Sequence, residues 1–195
     1  MASCVGITVG AIFSCADPLV PFVRQRLLLG NLIDIDTITR NISEDNIIEA
    51  ITMASGKAMY AFDGSKQSIT AQSELVVGAF SPQYNHQTNL IVWEVDSLQK
   101  TNLQGMAAEP QFAMVENSKD TSLGNSTFEV FGISRGMEAS EMIRINADAD
   151  TSGGYSITLI TPDTGGKETT LPDSFFITSL AVTESAVEAL LVPAL

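Results

Sequence analysis

The pentapeptide Gly132-Ile-Ser-Arg-Gly136 has the G-x-S-x-G spacing of a nucleophile elbow, and it follows a strand-like run as such an elbow should. That chemistry needs an acid and a histidine downstream, on a parallel α/β sheet. The chain's one histidine, His86, lies upstream. The order His86, Asp96 or Asp120, Ser134 matches another protease arrangement, but nothing around these residues prepares a nucleophile. The pentapeptide therefore reads as a turn that ends a strand. His86, within Tyr84-Asn-His-Gln87, has no Cys or His nearby in sequence and reads as a packed or hydrogen-bonded side chain.

Asn146, Asp148 and Asp150 hold the first three ligand positions of a calcium loop. Thr151 replaces its invariant glycine and Ile157 its bidentate glutamate, which excludes an EF-hand and leaves a solvated acidic loop. Cys4 and Cys15 are too far apart for a redox or zinc pair, and reduced thiols are expected. Gly153-Gly154 and Gly165-Gly166 lack the Lys-Ser/Thr of a phosphate loop and read as hairpin turns. No catalytic, cofactor-binding or metal-ligating residue is assigned, and the expectation is a protein that is not an enzyme.

The elements that hold these residues are mostly strands. Ile33–Thr39 alternates at period two, and Ile47–Met53 and Ala58–Phe62 are strands divided by Ser55-Gly-Lys57. Ser68–Phe80 is long enough for an extended hairpin arm, broken at Ser81-Pro82, and Asn89–Val95 follows. Asp96 is an N-cap for a helix to Met106, with Leu98, Leu103 and Met106 on roughly one face. Gln111–Glu116, Thr127–Ile133 and Tyr155–Ile160 are further strands. Asn117–Ser126 and Asn146–Gly154 are polar loops between them. Ser185-Ala-Val-Glu188 is a capping-box pattern for a short final helix. The fold expected is mainly β: a β-sandwich or barrel with one central helix, a short C-terminal helix and a long hairpin arm. It forms one domain over residues 1–195, with an N-terminal arm over about residues 1–25.

Composition limits what such a fold can bind. Charged residues are 17% of the chain against 45% hydrophobic, with mean hydropathy +0.18, so more apolar surface is expected than one subunit hides. Subunit interfaces are the simplest place for it. The net charge of −13 argues against gripping phosphates, because that needs clustered Lys and Arg, and only Arg24 and Arg26 fall close together. An acidic surface can still let a polyanion pass without sticking. No secretory signal or membrane helix is expected, and the site of synthesis is a cytoplasm.

Several stretches are similar to virion proteins of tailed phages and prophages of Bacteroides-type bacteria. These are Cys4-Val-Gly-Ile-Thr8 with Cys15 and Asp17-Pro18, Ala54-Ser-Gly-Lys-Ala58 leading into Tyr60-Ala-Phe-Asp-Gly64, and Ser73-Glu-Leu-Val-Val-Gly78 to Tyr84-Asn-His86. Phe112-Ala-Met-Val-Glu-Asn117, Phe128-Glu-Val-Phe-Gly132 and Gly153-Gly-Tyr-Ser-Ile-Thr158 extend the likeness over most of the chain. Among virion parts the layout resembles a tail tube (major tail) protein. The resemblance implies a homo-oligomer, with hexameric rings stacked into a hollow tube that DNA crosses during ejection without specific binding. Its other partners would be virion proteins, its location the virion, and no membrane or cofactor is implied. Asp34, Asp36 and Glu74, on or beside the strands Ile33–Thr39 and Gln67–Val77, are then the candidate lumen-facing acids. A capsid-decorating or head–tail connector protein is the alternative.

Overall fold

The computed structural model describes residues 23–65, 67–77, 82–117, 126–163 and 166–193. Cys4, Cys15, most of the expected N-terminal arm, and most of the loop over 117–126 lie outside them. Eleven strands and two helices follow in chain order. They are β1 Val23–Asn31, β2 Ile35–Arg40, β3 Ile47–Met53, β4 Tyr60–Asp63, β5 Ile69–Val77 and β6 Pro82–Val92, then α1 Ser97–Met106. After it come β7 Gln111–Asn117, β8 Phe128–Phe131, β9 Glu138–Arg144, β10 Tyr155–Ile160, β11 Asp173–Phe175 and α2 Leu180–Ala189.

The strands form two sheets, one of seven in the order β2-β3-β11-β8-β7-β1-β4 and one of four in the order β5-β6-β10-β9. Neither closes into a barrel, so the arrangement is sandwich-like and mainly β. Every pairing is antiparallel except β11 with β3. The larger sheet is covered on both sides. Leu27, Leu29, Ala113 and Val115 meet Ile69, Leu90, Ile157 and Leu159 of the smaller sheet, with Leu103 and Met106 of α1 at the margin. Leu28, Phe112, Met114 and Val130 face the other way, onto Val187 and Leu190 at the end of α2. This double burial explains the unbroken apolar runs Leu27-Leu28-Leu29 and Phe112-Ala-Met-Val115. A strand with one wet face would alternate.

Helix α1 begins where Asp96 accepts the Gln99 N–H at 2.7 Å. Leu98 is not on its buried face: Leu103 and Met106 are buried, Leu98 is exposed. Five residues separate Leu98 from Leu103, which turns the first about 140° away from the second. Helix α2 starts earlier than the capping-box pattern suggests. Its cap is Ser179, which accepts the Val182 N–H, and Ser185 falls inside the helix. The earlier start lets Thr183, Val187 and Leu190 reach the core at i, i+4 and i+7 spacing.

The β5–β6 hairpin pairs nine positions, from Ile69 with Leu90 to Val77 with Pro82. Ile69 is buried, but Leu75 and Val77, which share its side of the strand, are 54% and 87% exposed. The distal half of the hairpin therefore overhangs the core.

Candidate functional site

The uncovered face of the four-stranded sheet is the most coherent polar surface. Ile69, Leu90, Ile157 and Met142 register across it and turn inward, so their neighbours turn outward. One outward row is Thr70, Asn89, Thr158 and Glu141; the next is Gln72, Gln87, Ile160 and Glu138. Glu74 opposite Asn85 extends the face along the hairpin. Hydrogen bonds tie the rows into a ladder. Gln72 donates to Gln87 at 2.9 Å, Gln87 to Asn89 at 3.1 Å, Asn89 to the Thr70 hydroxyl at 3.0 Å, and Thr158 to Asn89 at 2.9 Å. Amides bonded to one another hold their orientation and leave the three carboxylates as the face's charge.

No cation joins them from the strands. Arg144 is the one Lys or Arg in the four strands; it pairs opposite Tyr155 on the inward side, its guanidinium 5.5 Å from that ring's centre. Lys167 reaches the rim, 3.4 Å from the Asn85 amide oxygen, and pairs with Asp163 at 2.6 Å.

Of the three candidate lumen acids, only Glu74 stands on this face. Asp36 is exposed on β2, an outer strand of the other sheet. Asp34 is not in a strand but in a single 3₁₀ turn, Leu32–Asp34, and is buried. Lys57 lies 2.9 Å from its carboxylate, and the Asn31 amide donates to it at 2.9 Å. Burial opposes its charge, yet the hydrogen bonds from Asn31 and Lys57 outweigh burial and hold its pKa below the usual carboxylate value. Asp34 is thus neutralised within the subunit. Glu138 and Glu141 escape sequence reading because the β9–β10 pairing shifts register between Thr158 and Leu159, which breaks period-two alternation.

The elbow-like pentapeptide is a turn after β8. Gly132 and Gly136 have φ of +69° and +80°, and a Cβ on them would sit 2.8 Å from Met137 Cγ and 2.7 Å from Pro110 Cβ. Its glycines serve the turn. His86 is buried in the middle of β6. Its Nδ1 accepts the Gly132 N–H at 3.1 Å, which assigns the proton to Nε2, 3.1 Å from the Thr170 carbonyl. Both ring nitrogens are engaged with backbone, so His86 cannot serve Ser134 as a base. We expect a serine-directed fluorophosphonate to leave Ser134 unlabelled, as read by mass spectrometry; specific labelling there would revive a hydrolase.

Glu168 closes the same turn. Its Oε1 accepts the N–H groups of Ser134 at 3.2 Å and Arg135 at 2.8 Å, while Oε2 is buried without a hydrogen-bond partner. Burial raises the Glu168 pKa and lowers that of His86, against opposing pulls from the turn's N–H groups and from the Thr170 carbonyl. The two act oppositely on stability. His86, depressed on folding, contributes stability present above about pH 6.5 and lost as pH falls; Glu168, raised on folding, contributes stability lost as pH rises above about 4.5. In Glu168→Gln, which keeps the Oε1 bonds, stability to urea should fall below pH 6.5 by up to about 1.4 kcal/mol per unit. Adding His86→Asn should flatten that slope. An unchanged slope would assign it to other groups.

In the acidic loop, Asp148 accepts from the Thr151 hydroxyl at 2.8 Å and from the N–H groups of Thr151 and Asp150 at 3.2 and 3.3 Å. These bonds lower its pKa, and the carboxylate shapes the loop. No metal-binding group of three His, Cys, Asp or Glu occurs among the described residues. Comparison with family models, curated proteins and solved structures finds no match to this chain.

Proposed function

We propose that this chain is a structural subunit of a phage virion that assembles with copies of itself into stacked rings, forming the tail tube through which DNA passes, and that it has no catalytic role. The observation that carries this reading is the uncovered face of the four-stranded sheet. A surface with Glu74, Glu138 and Glu141 among interlocked amides, and no Lys or Arg from its strands, repels a polyanion and offers it nothing to bind. A capsid-decorating or connector protein has no comparable need to sort its charges this way.

The sheet's edges support the same reading. β5 and β9 are its outer strands and run in opposite directions, because each of the three pairings between them is antiparallel. The β9 edge of one subunit can therefore add antiparallel to the β5 edge of the next. Such a contact is heterologous, and repeated about an axis it closes a ring. The overhanging hairpin, with Leu75 and Val77 uncovered, supplies apolar surface beside the joint.

Purified protein should form hexamers or longer polymers in light scattering, and rings or tubes with a negatively lined channel in electron microscopy. A strictly monomeric protein at high concentration, an assembly with no channel, or a channel lined by Arg24, Arg26, Arg40 and the lysines would overturn the proposal.

A further inference from the structure

Between the β1–β4 side of the larger sheet, the end of β6 and helix α1 lies a cleft of about 690 Å³. That volume suits a small ligand. Its lining residues include the aromatics Tyr60, Phe62 and Trp93 and the acids Asp63, Glu94 and Glu109, with no Lys, Arg or His; the Asp63 side chain, opposite Arg26, turns to the α2 side of the sheet. Asp63 has Arg26 at 4.0 Å, outside the lining, whereas no ion pair involves Glu94 or Glu109 among the described residues.

Its hydrogen-bonding groups are unevenly used. The Trp93 indole N–H donates to the Thr151 carbonyl at 2.8 Å, the Asn31 amide to Asp34 at 2.9 Å, the Thr101 hydroxyl to the Ser97 carbonyl at 3.1 Å, and the Gln111 amide to the Glu109 carbonyl. The acceptors are less satisfied. Gln111 is 2% exposed, and its Oε1 is buried with no hydrogen-bond partner. As the first residue of β7 it shares a side with Ala113 and Val115, the side on which Leu29 and Met106 line the cleft. A buried acceptor without a donor is costly.

We propose that this cleft binds an organic cation, an ammonium or guanidinium group carried on an apolar stem. The aromatic residues suit the stem and the cation's approach to a π face, and Glu94 and Glu109 its charge. An anion is repelled. A neutral polyol finds few of the donors it would need. The site is independent of the assembly reading. Its ligand is either a free amine or the Lys or Arg side chain of another protein segment.

Trp93 is the chain's single tryptophan, so its fluorescence reports the cleft alone. Titration with agmatine, with acetyl-Gly-Arg-Gly-amide, and with glucose and acetate as controls is the test. We expect a saturable change with the two cations and none with the controls. Glu94→Gln with Glu109→Gln should weaken the cations' binding about tenfold without altering the melting temperature. Tighter binding of the tripeptide assigns the ligand to a protein side chain, and tighter agmatine to a free amine. No saturable response to either cation, an equal response to glucose, or indifference to the Glu94 and Glu109 substitutions would overturn the proposal.

Discussion

Arg40→Met should destabilise the fold by about 3–5 kcal/mol, a large part of a typical domain's stability. The Asp173 side chain is wholly buried, and Arg40 Nη2 lies 2.7 Å from its Oδ2. Its Oδ1 has no hydrogen-bond partner, so the guanidinium is the main compensation for the carboxylate's lost hydration. Arg40 also donates to the Asp45 carbonyl at 2.7 Å. The pair spans from β2 to β11 across β3, over the one parallel pairing in the sheet, where β11 registers at only Ser174 with Ile47 and Phe175 with Ile48. Removing the arginine leaves a buried charge and frees the shortest strand.

The neutral pair Arg40→Met with Asp173→Asn should regain much of the loss, since the cost comes from the charge left unpaired. Arg26, whose guanidinium lies 2.5 Å from the well-exposed Glu188 carboxylate, makes the contrast: Arg26→Gln should cost under about 1 kcal/mol. Urea denaturation of the variants measures all three. A cost for Arg40→Met no larger than that for Arg26→Gln would show that Asp173 does not depend on its partner.

Leu75→Lys together with Val77→Lys should abolish assembly and leave the subunit folded. Both side chains are mostly exposed in the isolated subunit, so its melting temperature should scarcely move. In a ring they would sit at the β5 edge, where a neighbour's strand must add. Lysine there is how natural edge strands avoid such pairing. Two ammonium groups would have to lose water inside an apolar joint. Light scattering should then report monomers where the parent forms rings. Ile42→Lys, at a fully exposed loop position, is the control and should assemble normally. Normal assembly of the Leu75, Val77 variant would remove this edge from the interface.

Local signals carried the main elements. Ile47–Met53 is β3 at the bounds its sequence predicts, and Tyr155–Ile160 is β10. Asp96 caps α1 with the hydrogen bond its side chain is built to make. The glycines at 132 and 136 mark a turn through their positive φ. Strands with weak or broken alternation stayed hidden. β9 has a register irregularity, and β11 is three residues long, all buried.

A mainly β chain with two helices and an excess of acid is legible in the residues alone. Period-two alternation, caps and turn residues act within a few residues, and charge is a sum that needs no coordinates. Where the acids go is set by the folded arrangement of the strands. Asp34 and Asp36 are two residues apart, yet one is buried against Lys57 and the other exposed on an outer strand. Glu74 and Glu141 are far apart in the chain, yet β6 and β10 carry them to opposite margins of one face. Whether a carboxylate meets a cation, a core or open water depends on which strands pair. Pairing joins residues that no local pattern connects.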